Sequence, residues 1–296
     1  MPDSILIAAT KKFNDVLDIA LQQTSSKLFD KVNTKSGYVG ESASVVDTLN
    51  AFALNRVSGV GKPVVPDSYG FDRRWIAPDM FTKYFLRDSF AALESSINPT
   101  SALTRGLVAA ANRAKDDSII SAFFGDALTG KNGSTVTTWA SEGSGQVVDQ
   151  NVGGTASGLN VEKLKAARGI LLKNDIDLDS TPVYIAYNAE ADKDLLAEAQ
   201  VISKEYTEKA VLKDGKIEYF MGFYFVHTER LLTDGTYRRI PVWTKDSIHF
   251  GTWMEPRVRI DERVDLEGHP IQIGLEAMWN ATRTEPKGIV EIKIAE

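Results

Sequence analysis

The stretch NPTSALTRGLVAAANRAKDDSIISAFFG, residues 98–125, is the strongest helical pattern in the chain and organises the prediction of the rest. Asn98 or Thr100 can cap its first turn, and Pro99 is tolerated there because an N–H at that position has no partner within a helix. Apolar residues recur at helical spacing: Leu103, Leu107, Ala110, Ala114, Ile119, Ile120, Phe123 and Phe124. Gly125 ends the pattern. About 25 residues predict a rod of roughly 38 Å.

Upstream of this helix, residues 36–87 are unusual. Two extended stretches, GYVGESASVVDTLNAFALN and RRWIAPDMFTKYFLRD, flank a middle that is rich in Gly, Pro and Val. They predict a long β-hairpin with a broad tip. A two-stranded ribbon is marginal in water, so this hairpin needs a partner surface, either on its own domain or on another subunit. Residues 8–32 carry apolar positions at helical spacing and predict one or two short amphipathic helices.

Downstream, from about residue 160, helical and strand patterns alternate. VEKLKAARGILLKN and EADKDLLAEAQ predict helices, whereas PVYIAYN and IEYFMGFYFVHTERL predict apolar strands, which together indicate a compact α/β unit. From about residue 240 to the end the chain is strand-like. In the last stretch Ile289, Glu291 and Lys293 alternate with Val290, Ile292 and Ile294, which predicts a half-buried strand.

Composition limits the function classes. The chain has 296 residues, of which 43% are hydrophobic and 25% charged, typical of a folded protein with a sizeable core. A net charge of −6 argues against a protein whose main task is to grip nucleic acid. The chain has no cysteine, which excludes disulfides and thiolate chemistry. We find neither a signal peptide nor an apolar run long enough to span a membrane, so we expect a soluble protein made in the cytosol.

Two short motifs resemble functional loops. Residues 125–131, GDALTGK, have the spacing of a phosphate-binding loop, but Asn132 replaces the Ser or Thr that would hold Mg²⁺, and the segment follows a helix instead of a strand. Asp175, Asp177 and Asp179 alternate like the start of a calcium loop, but the glycine and glutamate that such a loop requires are missing. We interpret the first as a helix stop with a turn and the second as a solvated turn.

The usual catalytic residues are nearly absent. The three histidines, His227, His249 and His269, lie in strand-like segments without a second histidine at metal-ligand spacing. Aromatic surroundings predict core or half-buried positions for His227 and His249. Adjacent carboxylates such as Asp116 and Asp117 point in different directions on a helix and do not converge on a substrate. We therefore predict no catalytic residue, no cofactor, no metal site and no enzymatic activity.

The order of these elements resembles the major capsid proteins of tailed bacteriophages, which have the Hong Kong 97-type fold. The stretch ALTRGLVAAANRAKDDSIISAFFGDALTGKNG is similar to that family's alanine-rich helix and glycine turn. The ending GLEAMWNATRTEPKGIVEIKIAE is similar to its closing strands. The resemblance covers essentially the full chain and implies an α+β fold. It divides the chain into an N-terminal arm (1–35), an extended β-hairpin loop (36–87), a peripheral domain (88–160) with the spine helix (98–124), an α/β axial domain (161–249) and strands returning to the peripheral domain (250–296).

The function implied by this resemblance is structural. Such a protein self-assembles, as hexamers and pentamers, into the icosahedral virion shell that encloses double-stranded DNA without sequence-specific binding. Assembly takes place in the host bacterial cytoplasm, with scaffold, portal and decoration proteins as further candidate partners and no membrane. An encapsulin-type compartment shell, which shares this fold, and an α/β enzyme with an unrecognised site are the alternatives.

The extended loop carries a local positive excess although the chain is acidic. Between residues 56 and 74, four basic side chains stand against Asp67 and Asp72. We expect this segment to dock on an acidic face of a neighbouring subunit. The predicted inter-subunit contacts are Arg56, Lys62, Arg73, Arg74 and Trp75.

Overall fold

The structure is a computed structural model that describes residues 22–49, 54, 71–87, 100–152, 156–178, 180–198, 212–213 and 216–295. Its helices in this part of the chain are α1 (Thr100–Phe124), α2 (Trp139–Glu142), α3 (Val161–Lys173) and α4 (Ala189–Ala197). Its strands are β1 (Asn33–Ser36), β2 (Ala43–Leu49), β3 (Phe71–Ile76), β4 (Asp79–Arg87), β5 (Ala127–Thr129), β6 (Thr135–Thr137), β7 (Val147–Val148), β8 (Val183–Tyr187), β9 (Leu212–Lys213), β10 (Lys216–Ile217), β11 (Tyr219–Phe220), β12 (Phe223–His227), β13 (Thr233–Asp234), β14 (Tyr237–Thr244), β15 (Ile248–Glu262), β16 (Ile271–Arg283) and β17 (Ile289–Ala295).

Helix α1 confirms the long helix predicted from the sequence. It ends where Gly125 donates its N–H to the Ser121 carbonyl at 2.8 Å, and a Cβ at Gly125 would lie only 2.7 Å from that oxygen, which explains the glycine. The predicted apolar face needs one correction. Ala110 is exposed, whereas Ala109 and Ala111, about 200° apart around the helix, are both buried, so α1 is covered on two sides and not along one face.

Helix α1 packs against a sheet in the order β1-β15-β16-β4. Strands β15 and β16 form one long antiparallel pair, whose register shifts between Thr252 and Arg257 mark a local irregularity of the β-bulge type. Trp279 is fully buried here and stacks on Phe81 of β4 at 4.6 Å between ring centroids.

A seven-stranded sheet forms the second half of the molecule, in the order β11-β12-β8-β14-β17-β7, with β13 paired to β14. Helix α3 packs against β17. Both flanking helices begin at an asparagine cap: the Asn160 side chain accepts from the Lys163 N–H at 2.8 Å, and Asn188 accepts from the Ala191 N–H at 3.1 Å. The predicted helices and the strand between them are therefore confirmed.

The final strand, β17, departs from the prediction in two ways. It lies between β14 and β7 in the seven-stranded sheet, whereas the resemblance implied that all strands after residue 250 return to the peripheral sheet. Its residues from Ile289 to Ile292 are all buried, so both faces of the strand are covered there and the prediction of a half-buried strand is wrong. The face of β17 that carries Glu291 was expected to be solvated. It is covered by the hydrophobic core cluster, which includes Trp139 and Phe124.

The stretch IEYFMGFYFVHTERL is not one strand as predicted. The chain reverses at Met221 and Gly222, whose φ angles are 54° and 95°, so that Tyr219 pairs with Tyr224 across a tight hairpin. Two consecutive positive φ values are typical of a type I′ turn, which suits the twist of a two-residue hairpin. Met221 gives no sign of such a turn in the sequence, because a left-handed conformation is uncommon for methionine.

The base of the extended loop is a hairpin, as predicted, but its second arm is shared. Strand β3 pairs with β2 and, on its other edge, with β5, giving the sheet β2-β3-β5-β6. Beyond Ile76 the chain leaves this sheet and continues as β4, paired to β16. Near the N-terminus, Phe29–Lys31 is a single 3₁₀ turn where an amphipathic helix was predicted, and residues 8–21 of that prediction lie outside the described residues.

Candidate assembly surfaces

The first candidate surface, called the seat, is the contact between helix α1 and residues 22–28, which are part of the predicted N-terminal arm. Asp116 is fully buried in the middle of this helix, and its carboxylate accepts hydrogen bonds from the Gln23 amide at 2.5 Å and the Ser26 hydroxyl at 2.5 Å. It also accepts from the backbone N–H groups of Lys27 and Leu28, at 3.1 and 3.2 Å. A buried carboxylate requires such partners, because leaving it unpaired would cost several kcal/mol. The segment around residue 26 is thereby fixed on the helix.

Two neighbours of Asp116 extend this seat. The Asn112 amide donates to the Thr24 carbonyl at 2.8 Å. The Arg113 guanidinium donates to the Gln22 side chain at 2.7 Å and to the Gln23 carbonyl at 3.0 Å. Polar residues that interrupt the apolar pattern of α1 are therefore the contacts that hold the arm.

The adjacent Asp117 points elsewhere, as predicted for neighbouring carboxylates on a helix. It forms a two-pronged ion pair with Arg230, which lies just after β12 of the seven-stranded sheet. The pair of aspartates thus joins α1 to the arm on one side and to the second sheet on the other.

The predicted loop contacts divide into two groups. Arg56 and Lys62 lie outside the described residues. Arg73, Arg74 and Trp75 lie on β3, where the Arg73 guanidinium stands 5.9 Å from the centre of the Trp75 ring and both side chains are partly exposed. Arg73 and Trp75 therefore remain predicted inter-subunit contacts.

Arg74 requires a correction. Its side chain is only 6% exposed and forms ion pairs within the subunit, with Glu142 at 2.6 Å and with Asp72 at 3.1 Å. Successive side chains of a strand point to opposite faces, so Arg73 and Arg74 cannot share one docking surface. The sequence showed the clustered charge but not which face of β3 each arginine occupies.

A polar cleft of about 900 Å³ opens beside the loop base. Five acidic side chains line it, against Arg74 and Lys287 as the basic ones: Asp72, Glu142, Asp175, Asp177 and Glu285. The cleft is therefore an acidic face, and it is bordered by strand β3 and by the turn that follows α3.

A further candidate surface, which was not predicted from the sequence, is the distal part of the sheet β1-β15-β16-β4. We define the ribbon as residues 80–87, 255–262 and 271–276. Its large apolar side chains that remain exposed are Met80 (76% exposed), Leu86 (56%), Ile260 (52%), Tyr84, Phe85 and Ile271. Among the described residues no strand pairs with the outer edge of β4. An open edge with exposed apolar residues is normally covered by a partner.

The ribbon is nevertheless well ordered by its own contacts. Tyr84 lies over Gly274, where a Cβ would come within 2.2 Å of its ring, and the Tyr84 hydroxyl donates to Glu276 at 2.5 Å. Its charges balance, with Lys83, Arg87, Arg257 and Arg259 against Glu255, Asp261, Glu262 and Glu276. Balanced charge suits another protein surface better than nucleic acid, which requires a basic one.

The remaining sequence motifs have structural roles. Residues 127–137 form the β5–β6 hairpin with an exposed Lys131, which confirms a turn after the helix stop. Asp175 adopts a left-handed conformation in the turn after α3, and Asp179 lies outside the described residues. Within the described residues no three His, Asp or Glu side chains form a group that could hold a metal ion. No helix among them is both long and apolar enough to cross a membrane.

Among the histidines, only His249 is buried, 2.9 Å from the Tyr38 hydroxyl. Burial, followed by the charge of Lys35, lowers the pKa of His249 to about 4. His227 is exposed, which corrects the predicted core or half-buried position, and His269 lies exposed in a turn.

The described residues hold the segment around Ser26 on a long helix and leave apolar side chains of the ribbon exposed, which is typical of subunits of larger assemblies. The model of the family described as "Phage capsid protein" matches residues 5–296, and the chain belongs to this family. It is a structural shell protein of a phage and not an enzyme, and its location is the capsid of the virion. No curated protein matches the chain by sequence.

Solved phage capsids share the fold at very low sequence identity. The capsid of cyanophage Pam1 has a TM-score of 0.75 at 9% identity, with 96% of each chain covered. The capsid of cyanophage P-SCSP1u has a TM-score of 0.72 at 10% identity, covering 97% of this chain and 93% of that one. The head of Helicobacter pylori bacteriophage KHP40 has a TM-score of 0.70 at 11% identity, covering 96% and 95%. The α+β, Hong Kong 97-type fold is thereby confirmed, and the encapsulin-type alternative is not favoured.

Proposed function

We propose that copies of this chain form hexamers and pentamers that close into an icosahedral shell around the double-stranded DNA of a tailed phage. The ribbon carries this proposal, because its open edge and exposed apolar side chains are left uncovered by the described part of the subunit. Its equal numbers of basic and acidic side chains favour a second copy of the same chain as the cover.

The division of the chain follows the roles of its surfaces. Residues 1–35 act as an N-terminal arm, 36–87 as an extended loop, 88–160 and 250–283 as a peripheral domain, and 161–249 as an axial domain joined by the final strand. The hydrogen bonds of Asp116 to residues 23–28 support an arm that leaves from a fixed point on the spine helix.

The extended loop is the second inter-subunit contact. Arg56, Lys62, Arg73 and Trp75 reach the acidic cleft of a neighbouring subunit, whereas Arg74 stays within its own. The excess of carboxylates in the cleft supports this pairing, since complementary charge guides association and fixes its register.

Binding of the genome is non-specific in this proposal. A net charge of −6 leaves a shell that encloses DNA without adhering tightly to it. Assembly takes place in the host bacterial cytoplasm, where scaffold, portal and decoration proteins are the further partners.

Deleting residues 57–71 tests the proposal. The deletion removes only the first residue of β3, Phe71, and leaves β2 in place. We therefore expect a folded subunit with an almost unchanged far-ultraviolet spectrum that forms no closed shells in electron micrographs. Lys193→Ala, at an exposed helical position, serves as a control that still assembles. Closed shells of normal diameter from the deletion variant would refute the role of the loop.

A further inference from the structure

The segment that resembles a phosphate loop is a hairpin that holds the extended loop. Strand β5 begins three residues after α1 ends and pairs with β3, with Arg74 opposite Thr129 and Trp75 opposite Leu128. The base of the extended loop is therefore attached, through only a few residues, to the end of the spine helix.

Glycines in this hairpin fit the side chain of Trp75. The indole N–H of Trp75 donates to the Gly130 carbonyl at 2.7 Å. Gly133 has a φ of 69°, and a Cβ there would lie 2.8 Å from the indole ring. A left-handed backbone and close contact with an aromatic ring both require glycine at this position. Within the motif G-x-x-x-x-G-K, Gly130 has a φ of 87° and Gly125 ends α1, so both glycines have a structural cause.

A buried ionic bridge adds a second connection. The Glu142 carboxylate accepts from Arg74 at 2.6 Å and from Arg283 at 2.8 Å. Arg283 is 1% exposed and also donates to the carbonyls of Phe123 and Gly125, at 3.1 and 2.9 Å, so its charge lies at the C-terminal end of α1. A cation there interacts favourably with the helix dipole and the last carbonyls.

A buried ionic bridge of this kind adds little net free energy of stabilisation. Apolar residues of similar volume often stabilise as much as a buried ion pair, because desolvation offsets much of the attraction. The bridge instead fixes the relative orientation of β3, α2 and β16, because charged groups with fixed hydrogen-bond geometry allow one arrangement of these elements.

We propose that the β5–β6 hairpin and the Arg74–Glu142–Arg283 bridge, together called the bracket, fix the angle at which the extended loop leaves the subunit, and thereby the curvature of the shell. This inference rests on the proposed function, because only a loop that contacts a neighbour can transmit its angle to a shell.

Arg74→Gln removes the ionic connection of β3 to Glu142, while the pair Glu142–Arg283 and the pairing of β3 with β5 remain. In unassembled subunits we expect amide hydrogen exchange of β3 and β5 to accelerate by roughly tenfold or more, equivalent to about 1.4 kcal/mol, with α1 unchanged. Purified particles should be open sheets or shells of broadened diameter. Lys165→Gln removes an exposed ion pair with Glu162 on α3, away from the cleft and the bracket, and is the matched control, with wild-type exchange and wild-type shells.

A cysteine pair provides a second test, which does not depend on whether Arg74→Gln folds. Arg74→Cys together with Thr129→Cys places thiols at partner positions of β3 and β5, in a chain that has no other cysteine. Cross-strand partners have Cα atoms about 4.5–5.5 Å apart, within the range of a disulfide. We expect uniform shells when the pair is oxidised before assembly and broadened or open ones when it is reduced.

The outcomes separate the bracket from the proposed function. Uniform shells from Arg74→Gln, or identical particles from the oxidised and reduced cysteine pair, would overturn the inference while leaving the shell function standing. If the wild type forms no shells, the proposed function fails, and hydrogen exchange alone then decides whether the bracket holds the loop base. Wild-type exchange of β3 in Arg74→Gln would overturn it in that case.

Discussion

The seven-stranded sheet and the ribbon are both built from strands rich in apolar residues, but the described residues bury much more of the first than of the second. In the seven-stranded sheet even the acidic Glu291 is enclosed: the Trp139 indole donates to it at 2.6 Å, and Arg239 donates at 2.7 and 3.0 Å. In the ribbon, Met80 and Leu86 remain largely exposed on β4, whose outer edge pairs with no strand among the described residues. The described residues therefore enclose the seven-stranded sheet more fully than the ribbon.

Because of this difference, substitutions in the two regions should affect different quantities. Substitutions in the enclosed half should change the free energy of unfolding of the isolated subunit. Substitutions in the ribbon should leave this quantity almost unchanged and affect only the association of subunits. Strands β15 and β16 belong to the sheet that packs on α1 and extend from there into the ribbon.

The largest loss of stability is expected from Glu291→Leu. Leucine would leave the Arg239 guanidinium and the Trp139 indole N–H without their acceptor in a buried site, at a cost of about 3–5 kcal/mol. Denaturant unfolding of the subunit measures this loss. Glu162→Ala removes an exposed ion pair with Lys165 and should cost less than about 0.5 kcal/mol. Equal losses for the two variants would contradict the difference in burial.

Acid should destabilise the subunit through His249. Burial and Lys35 lower its folded-state pKa from 6.5 to about 4, so between these values the unfolded chain binds a proton that the folded one does not. Stability from this group is therefore fully present above pH 6.5 and decreases as the pH falls to 4, by up to about 3 kcal/mol. His249→Gln should flatten this slope in unfolding titrations, and His269→Gln, at an exposed turn, should not. A slope that persists in His249→Gln assigns it to other groups.

The face of α1 can be tested with two adjacent alanines. Ala111→Leu adds volume against the sheet and should cost about 1–3 kcal/mol, whereas Ala110→Leu points outward and should cost almost nothing. Thermal unfolding of both variants checks the expectation. If Ala110→Leu is the more damaging variant, the helix is rotated from the described position.

The smallest effect on the subunit, and the largest on the shell, is expected from Leu86→Lys in the ribbon. An exposed position tolerates lysine within about 0.5 kcal/mol, but a charge on a covered apolar surface opposes association. We expect normal unfolding and a loss of closed shells in electron micrographs. Leu172→Lys, at an equally exposed leucine of α3, should still assemble. Normal shells from Leu86→Lys would exclude this face of the ribbon from the interface.

Elements whose signals are local were predicted correctly from the sequence. The end of α1 at Gly125 depends on residues within four positions, and it is observed. The resemblance to phage capsid proteins also identified the fold and the class of function. Local caps and the order of elements therefore carried most of the information that the sequence alone could provide.

Features that depend on distant partners were not predictable in the same way. Glu291 looked like a solvated position, because its partners Trp139 and Arg239 are 152 and 52 residues away. Arg74 looked available for a neighbour, because nothing near it in sequence indicates Glu142. The ribbon was missed for a different reason: strand alternation does not distinguish a face covered by the same chain from a face left open.

The continuity of β15 and β16 has a mechanical consequence. At about 3.3 Å per residue, the 15 residues of β15 form a lever of about 50 Å that runs from the packed sheet to the ribbon. A force applied along this lever loads many cross-strand hydrogen bonds in shear, so they resist together, while a force across it acts on a few bonds at a time. The register shifts between Thr252 and Arg257 interrupt the ladder, and an irregularity of this kind bends a strand pair locally. The ladder of hydrogen bonds is therefore interrupted at the point where the strand pair passes from the part packed on α1 to the ribbon.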